Sequence, residues 1–235
     1  AAEDIMINYT PFGHSDWQTI VADIKKFGSA GKKTAVVSTI NGDANVPFYK
    51  ELANQGVDAT DIPVVAFSVG EEELAGLDTT NLVGHLAAWN YFMSVENDAN
   101  AEFIKKWKAF IKDDKRVTND PMEAHYIGFN MWVKAVEKAK STDPDKVIDA
   151  IVGVEVPNLT GGTSKMLSNH HITKPVLVGE ILEDGQFATV WQTDGLVPGD
   201  AWSDHLPGSK DLISDWPGKS WGNFNTKTGK CGSGD

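Results

Sequence analysis

The 235-residue chain reads as an α/β fold: a parallel-sheet lobe first, longer helices after it, then a C-terminal β-hairpin and an irregular tail. Three observations predict this. Over roughly the first ninety residues, short apolar runs alternate with segments of helical period, the pattern of β-α-β-α-β units. The apolar runs KKTAVVSTI, IPVVAFSV and NLVGHLAAW are nearly continuous, as parallel strands are when helices cover both faces of their sheet. Near the end, PVLVGEILEDGQFATVWQT holds two strand patterns around Glu183-Asp184-Gly185, a hairpin signature.

The elements follow in order. Residues 4–10 (DIMINYT) predict a short strand, and Pro11 to Ser15 a turn. Ser15 is the expected N-cap of the helix DWQTIVADIKKF, whose Trp17, Ile20, Val21, Ile24 and Phe27 share one face. Gly28 and Gly31 stop it. Asn45 to Gln55 predicts a second helix, with Pro47 in its first turn and Gly56 as its stop. GEEELAGL is a short helical turn between the second and third of the three apolar strands. Two longer helices come next. Residues 99–112 carry Phe103, Trp107, Phe110 and Ile111 on one face, and residues 121–140 open with Asp120-Pro121 as N-cap and N1. Trp107 and Trp132 fit the core faces of these helices. Asp143-Pro144 repeats the capping device before DKVIDAIVG, and LTGGTSKM reads as a loop. The expected boundaries are 1–118 for the sheet domain, 119–156 for helices packing elsewhere, 157–195 for a crossover and hairpin returning to the sheet, and 196–235 for the tail.

Bulk properties narrow the function. The net charge of −12 and pI near 4.9 argue against nucleic acid or an anionic membrane surface as partner, since both need a basic face. The lone cysteine, Cys231, permits no intramolecular disulfide and stands far from any histidine in sequence, a poor nucleophile. No stretch approaches the ~20 apolar residues of a membrane span. AAEDIMINYT lacks the regions of a signal peptide, so an exported protein would have lost its signal or carried it outside these residues. Adjacent His170 and His171 would point to opposite faces of an extended strand, and the other histidines are scattered. No zinc or calcium spacing, nucleophile elbow, Walker A or dinucleotide fingerprint occurs, so neither metal, cofactor nor enzymatic chemistry is expected.

A parallel sheet binds ligands beyond the carboxyl ends of its strands. The tips to inspect are therefore Thr39–Asp43, Phe67–Glu73 and Trp89–Phe92. Asn41-Gly42-Asp43 admits two readings: a turn in which Asp43 or Asn45 caps the next helix, or a wall of a binding site beside a helix N-terminus. Glu71-Glu72-Glu73 is either a solvated acidic helix start or, with Ser68 and Val69 before it, part of the same crevice. Trp89 either stacks on a ligand or packs in the core.

The series TINGDANVPFYKEL, IPVVAFSVGEEEL, VGHLAAWNYF, NDPMEAHYIGFNMWVKAVEKA and KPVLVGEILEDGQFATVWQT resembles the urea and short-chain-amide binding proteins of ABC importers. These are type I periplasmic binding proteins, and the resemblance runs in order from residue 5 to residue 202. It implies a Rossmann-like lobe, one of two that close on a solute, with Thr39, Asn41, Gly42, Asp43, Ser68, Val69 and Glu71 at the cleft. It further implies a periplasmic location, ABC permease subunits as partners and no chemistry performed. The first lobe and the earliest strand of the second have no counterpart in these residues. On that resemblance the chain is a C-terminal portion that binds urea or an amide weakly or not at all alone. The helices at 121–153, with Tyr126, Phe129, Trp132 and Val133, would then be covered by a missing lobe or another chain. Two rivals stand beside this reading. A cytosolic amide-sensing regulator of the same fold would show a regulatory partner, and an amide hydrolase would need a base or metal absent from the sequence.

Overall fold

The computed structural model describes residues 4–199, with Phe224–Asn225 and Lys230–Cys231 beyond them. Residues 5–10 join no strand ladder, against expectation, and Tyr9 is 93% exposed. A strand needs a bonded neighbour, and this segment stands off from the nearest sheet edge across a cavity. The stripe of Trp17, Val21 and Ile24 folds as α1 (Gln18–Gly28), starting three residues after the expected cap Ser15. Burial of Trp17, whose indole N–H donates to the His14 carbonyl at 3.1 Å, sets the helix start instead of a serine side chain.

Then come β1 (Val36–Ser38), α2 (Asn45–Asn54), β2 (Val64–Ala66), the single turn α3 (Glu71–Leu74) and β3 (Leu86–Trp89). The strands are only three or four residues long, shorter than their apolar runs suggest. Helix α4 (Asp98–Ile111) is capped by Asn97, whose side chain accepts from Asn100 N–H. Helix α5 (Asp120–Ala139) is capped by Asn119 instead of Asp120, which moves to the first helical position. Asp143 caps α6 (Pro144–Ile151) as expected. The LTGGTSKM loop proves partly β: β4 (Glu155–Pro157) pairs antiparallel with β5 (Thr163–Lys165). β6 (Leu177–Ile181) and β7 (Phe187–Gln192) form the expected hairpin.

The main sheet has order β1-β2-β3-β6-β7, with β1, β2 and β3 parallel and β6 antiparallel to both its neighbours. The hairpin therefore extends the parallel block at the β3 edge. Paired residues share a face, so Val64, Ala66, Ala87, Leu177, Ile181 and Phe187 lie together and are all buried. Trp17, Val21 and Ile24 of α1, Phe48, Tyr49 and Leu52 of α2, and Leu74 of α3 fill that same core. The opposite face carries Val37, Val65, Leu86, Val178 and Trp191, with Val37 70% and Trp191 54% exposed. Coverage on both faces was expected, but α1, α2 and α3 all pack on one.

A second core joins Ile127, Met131 and Ala135 of α5 to Val147 of α6, Val154 and Val156. The other side of α5 is open. Phe129 (59% exposed) and Trp132 (43%) stack on each other at 5.8 Å between centroids instead of entering a core, and Phe110 of α4 is exposed too. Contacts divide the chain into Ala1–Pro198 and Gly199–Asp235. In the second unit Phe224–Asn225 (β8) pairs antiparallel with Lys230–Cys231 (β9); of the expected tail, residues 200–223, 226–229 and 232–235 lie outside the described residues.

His85 is fully buried just before β3, and its Nδ1 accepts the Val64 N–H at 3.0 Å. Burial pushes its pKa below the usual histidine value. The unfolded chain therefore binds a proton more readily, so the stability His85 contributes is complete above about pH 6.5 and declines as pH falls below it. Guanidinium denaturation of wild type and His85→Asn between pH 7.5 and 5 should show the wild type losing up to about 1.4 kcal/mol per pH unit more than the variant. Parallel profiles would contradict a neutral buried imidazole.

Candidate functional site

The three parallel strands end on one edge, and the loops leaving them form the candidate site. At the β1 tip the chain leaves Ser38, passes Thr39 and Ile40, and makes a one-turn 3₁₀ helix at Gly42–Ala44 before α2. Gly42 has φ +62°, a left-handed conformation that a glycine adopts without strain. Thr39, Asn41, Gly42 and Asp43 are all exposed there.

Asn45 holds this tip to the next one. Its fully buried side-chain N–H₂ donates to the carbonyls of Ile40 (3.0 Å), Gly42 (3.2 Å) and Ser68 (3.1 Å). The expectation that Asn45 caps α2 is corrected: its amide satisfies carbonyls of two loops, not helix N–H groups. A second bond lies above it, where the Ser68 hydroxyl donates to Asn41 Oδ1 at 2.7 Å. Asn41 and Ser68, 27 residues apart, thus meet in one polar surface. The Asn41 amide also donates to the Thr39 carbonyl at 3.3 Å.

Val69 and Glu71 sit differently from the other candidates. Val69 is fully buried and belongs to the sheet core. Glu71 is 1% exposed, and its Oε1 accepts the Met93 N–H, which joins the β2 tip to the β3 exit. Its Oε2 is buried with no hydrogen-bond partner. Burial pushes the Glu71 carboxyl up to about 8, helped by the nearby charges of Glu73 and Asp120. The acidic run therefore splits three ways. Glu71 turns inward, Glu72 pairs with Arg116 at 3.2 Å on the surface, and Glu73 accepts the Gly70 N–H at 2.8 Å to close the α3 start. A Cβ on Gly70 would come within 2.8 Å of the Trp89 ring, so Trp89 packs beneath this tip and against the core.

A cavity of about 820 Å³ runs along the outer edge of β1. Its walls are apolar, with Ile5, Tyr9, Trp17 and Val37, and Thr39 and Asn41 line its polar end. Sequence reasoning singled out the tip residues but missed Asn45 as their tie and Gly70 as the seat of Trp89. An asparagine at the first position of a helix signals a cap more readily than a carbonyl clamp. His170 and His171 lie in a turn, His170 at φ +62°, and not on an extended strand. Among the described residues no three His, Cys, Asp or Glu side chains could hold a metal ion together, and no helix is long and apolar enough to cross a membrane.

A periplasmic binding protein domain matches residues 1–208. The chain belongs to the periplasmic binding protein family. Solved structures agree on the fold of this periplasmic binding protein. One is a solute binding protein of an ABC transporter from Rhodopseudomonas palustris HaA2 in complex with p-hydroxybenzoic acid. It is similar with TM-score 0.68 and 21% identity over 80% of this chain and 51% of that one. Another is a branched-chain amino acid ABC transporter periplasmic ligand-binding protein from Burkholderia xenovorans LB400, at TM-score 0.61, 16% identity, 78% of this chain and 49% of that one. A curated protein named limonene hydroxylase, from Geobacillus stearothermophilus, is 30% identical over 115 residues, 49% of this chain and 21% of that protein. This periplasmic binding protein chain thus spans about half the length of the solved relatives it matches.

Two outcomes follow from the tip geometry. Asn45→Ala removes the buried amide that serves three loop carbonyls, and thermal or guanidinium denaturation should register a loss of about 1–3 kcal/mol; an unchanged midpoint would show the two tips are held otherwise. Glu71 has a raised folded pKa, so its contribution is present in full below about pH 4.5 and is lost as pH climbs toward 8. Glu71→Gln keeps an acceptor for Met93 and cannot ionise. The variant should therefore gain stability relative to wild type steadily from pH 5 to pH 8, and a constant difference would mean Glu71 titrates normally.

Proposed function

We propose that this chain is the second lobe of a periplasmic solute-binding component of an ABC importer, and that its cleft takes urea or a short-chain amide. The observation that carries the reading is the chemistry of the strand tips. Thr39–Asp43, Phe67–Glu73 and Trp89–Phe92 contain no lysine or arginine. They offer the Asn41 amide, the Thr39 and Ser68 hydroxyls and nearby backbone groups. A carboxylate ligand would want a cation or several N–H donors on this wall. A neutral amide instead wants alternating donors and acceptors, because each buried polar group left unpaired costs roughly 1–3 kcal/mol. Glu71 fits the same ligand class: a carboxyl kept neutral by burial can donate a hydrogen bond to a carbonyl if the tip loosens to admit one.

A cleft needs two walls. The match takes up only about half of each solved relative, and the aromatic side of α5 with Phe129 and Trp132 is open, which supports a first lobe outside these residues. ABC permease subunits are the proposed partners of the closed two-lobed form, and the chain performs no chemistry on its solute. The proposed ligand differs from the p-hydroxybenzoic acid bound by one solved relative and from the branched-chain amino acids for which the other's transporter is named. Calorimetric titration of urea, acetamide, 4-hydroxybenzoate and leucine tests this, using the 235-residue chain and a form extended by a first lobe. Saturable heat is expected with urea or acetamide for the extended form, and little or none for the chain alone. Saturation by 4-hydroxybenzoate or leucine with no response to either amide would overturn the ligand class. Micromolar urea binding by the chain alone would overturn the need for a second wall.

A further inference from the structure

The described chain enters its second core at the start of α5 and leaves it just before β6, and a buried ion cluster ties entry to exit. Asp120 and Glu123 lie in the first turn of α5, and Lys174 stands three residues before β6. The Lys174 ammonium is paired with Glu123 Oε2 and lies 3.6 Å from Asp120 Oδ1. All three side chains are less than a tenth exposed. Lys174 is itself fixed by a two-way backbone bridge to Val197, with bonds of 3.1 and 2.8 Å.

The cluster reaches further through neutral groups. Glu123 Oε1 accepts the Leu159 N–H at 3.2 Å, and the Leu159 carbonyl accepts from Asn97, the cap of α4. The Asn90 backbone N–H, at the β3 tip, is near enough to the Asp120 carboxyl to favour its charged form. The Asn90 side chain donates to the Pro175 carbonyl at 2.6 Å, and its own carbonyl accepts the Thr160 hydroxyl at 2.7 Å. Four chain segments, at 90–97, 120–123, 158–160 and 174–175, therefore meet around one ammonium group. Of these segments, 90–97 also enters the sheet core, through Phe92 with Val95 packed beside it, while Asn90, Asp120, Glu123, Leu159 and Lys174 belong to neither apolar core.

We propose that Lys174 is a positioning residue: its ion pairs with Asp120 and Glu123 are the joint between the sheet core and the α5–α6 core, and they hold the β3 tip in place beside the strand-tip wall. This deepens the clamp reading and rests on it for its role in solute capture; the joint itself is tested without solute. A buried ammonium between two carboxylates ties the elements that carry them to the arrangement that keeps the three together, because moving one away leaves a buried charge without its partner. Lys174→Met leaves two buried carboxylates facing no cation. Lys174→Arg keeps the charge and tests whether charge or shape matters.

The experiment is amide hydrogen exchange by NMR on the 235-residue protein. In Lys174→Met the Asn90 and Leu159 amides should exchange at least tenfold faster, while Val64 and Phe67 within the β1–β2–β3 block keep their protection. Lys174→Arg should restore Asn90 and Leu159 to within about threefold of wild type. Glu123→Gln retains an acceptor for Leu159 and loses the ion pair. It should loosen Asn90 more than Leu159, and it supplies the test if Lys174→Met does not fold. Unchanged protection at Asn90 and Leu159, or loss spread evenly across both cores in every variant, would overturn the proposal. Failure of solute binding in the calorimetric test with this local pattern intact would leave the joint standing and remove only the ligand class.

Discussion

The strand-tip edge depends on one buried apolar layer, the sheet face of Val64, Ala66, Ala87, Leu177 and Ile181 pressed onto α1, α2 and α3. Its valine, leucine and isoleucine side chains each contribute about 1.5–3 kcal/mol by leaving water, and the alanines less. The layer fixes where three parallel strands stop. Because β1, β2 and β3 run the same way, their loops emerge together and their polar residues have to share a small area. Asn45 then ties together what the core brings close: two loops turn carbonyl groups toward one corner, and one buried side-chain amide meets three of them. The polar wall of Asn41 and Ser68 is the exposed side of that solution.

Charge is handled in two contrasting ways. Glu71 is buried without a cation, and its carboxyl is held in the neutral form near neutral pH. Asp120 and Glu123 share Lys174, yet burial still pushes both of their pKa values up, to about 6 for Asp120. Two carboxyls share one ammonium and Glu71 has none, which leaves the region short of positive charge. Local structure there accordingly relies on backbone donors, from Met93, Asn90 and Leu159, as much as on ion pairing. These same donors belong to the chain segments that run between the two cores.

Much of this was legible in the residues. The order of helices and strands, the Asp143-Pro144 cap and the Glu183-Asp184-Gly185 hairpin all rest on local signals, and the structure carries them. The strand-tip rule located Asn41 and Ser68, which the fold then joined. What stayed hidden depends on partners distant in sequence. DIMINYT has the composition of a strand, but composition cannot supply a neighbour to bond. The Ser15 cap lost to the burial of Trp17. Asp120 looked like a cap because it precedes a proline, yet Asn119 took that place and freed Asp120 to face Lys174, 54 residues away. The bare sheet face of Val37, Val65 and Trp191 was likewise invisible, since an apolar run reads the same whether one face is covered or two.

The central claim is that the loops at the ends of β1 and β2 form a wall for a small neutral amide. Backbone chemical-shift mapping of the 235-residue protein, with acetamide added and equimolar acetate as control, tests it most directly because it registers even millimolar contacts. Acetamide-specific shifts are expected to concentrate at Asn41, Gly42, Asp43 and Ser68, with the amides of α5 and α6 still. Shifts confined to the apolar cavity along β1, or equal shifts with acetate, would contradict it.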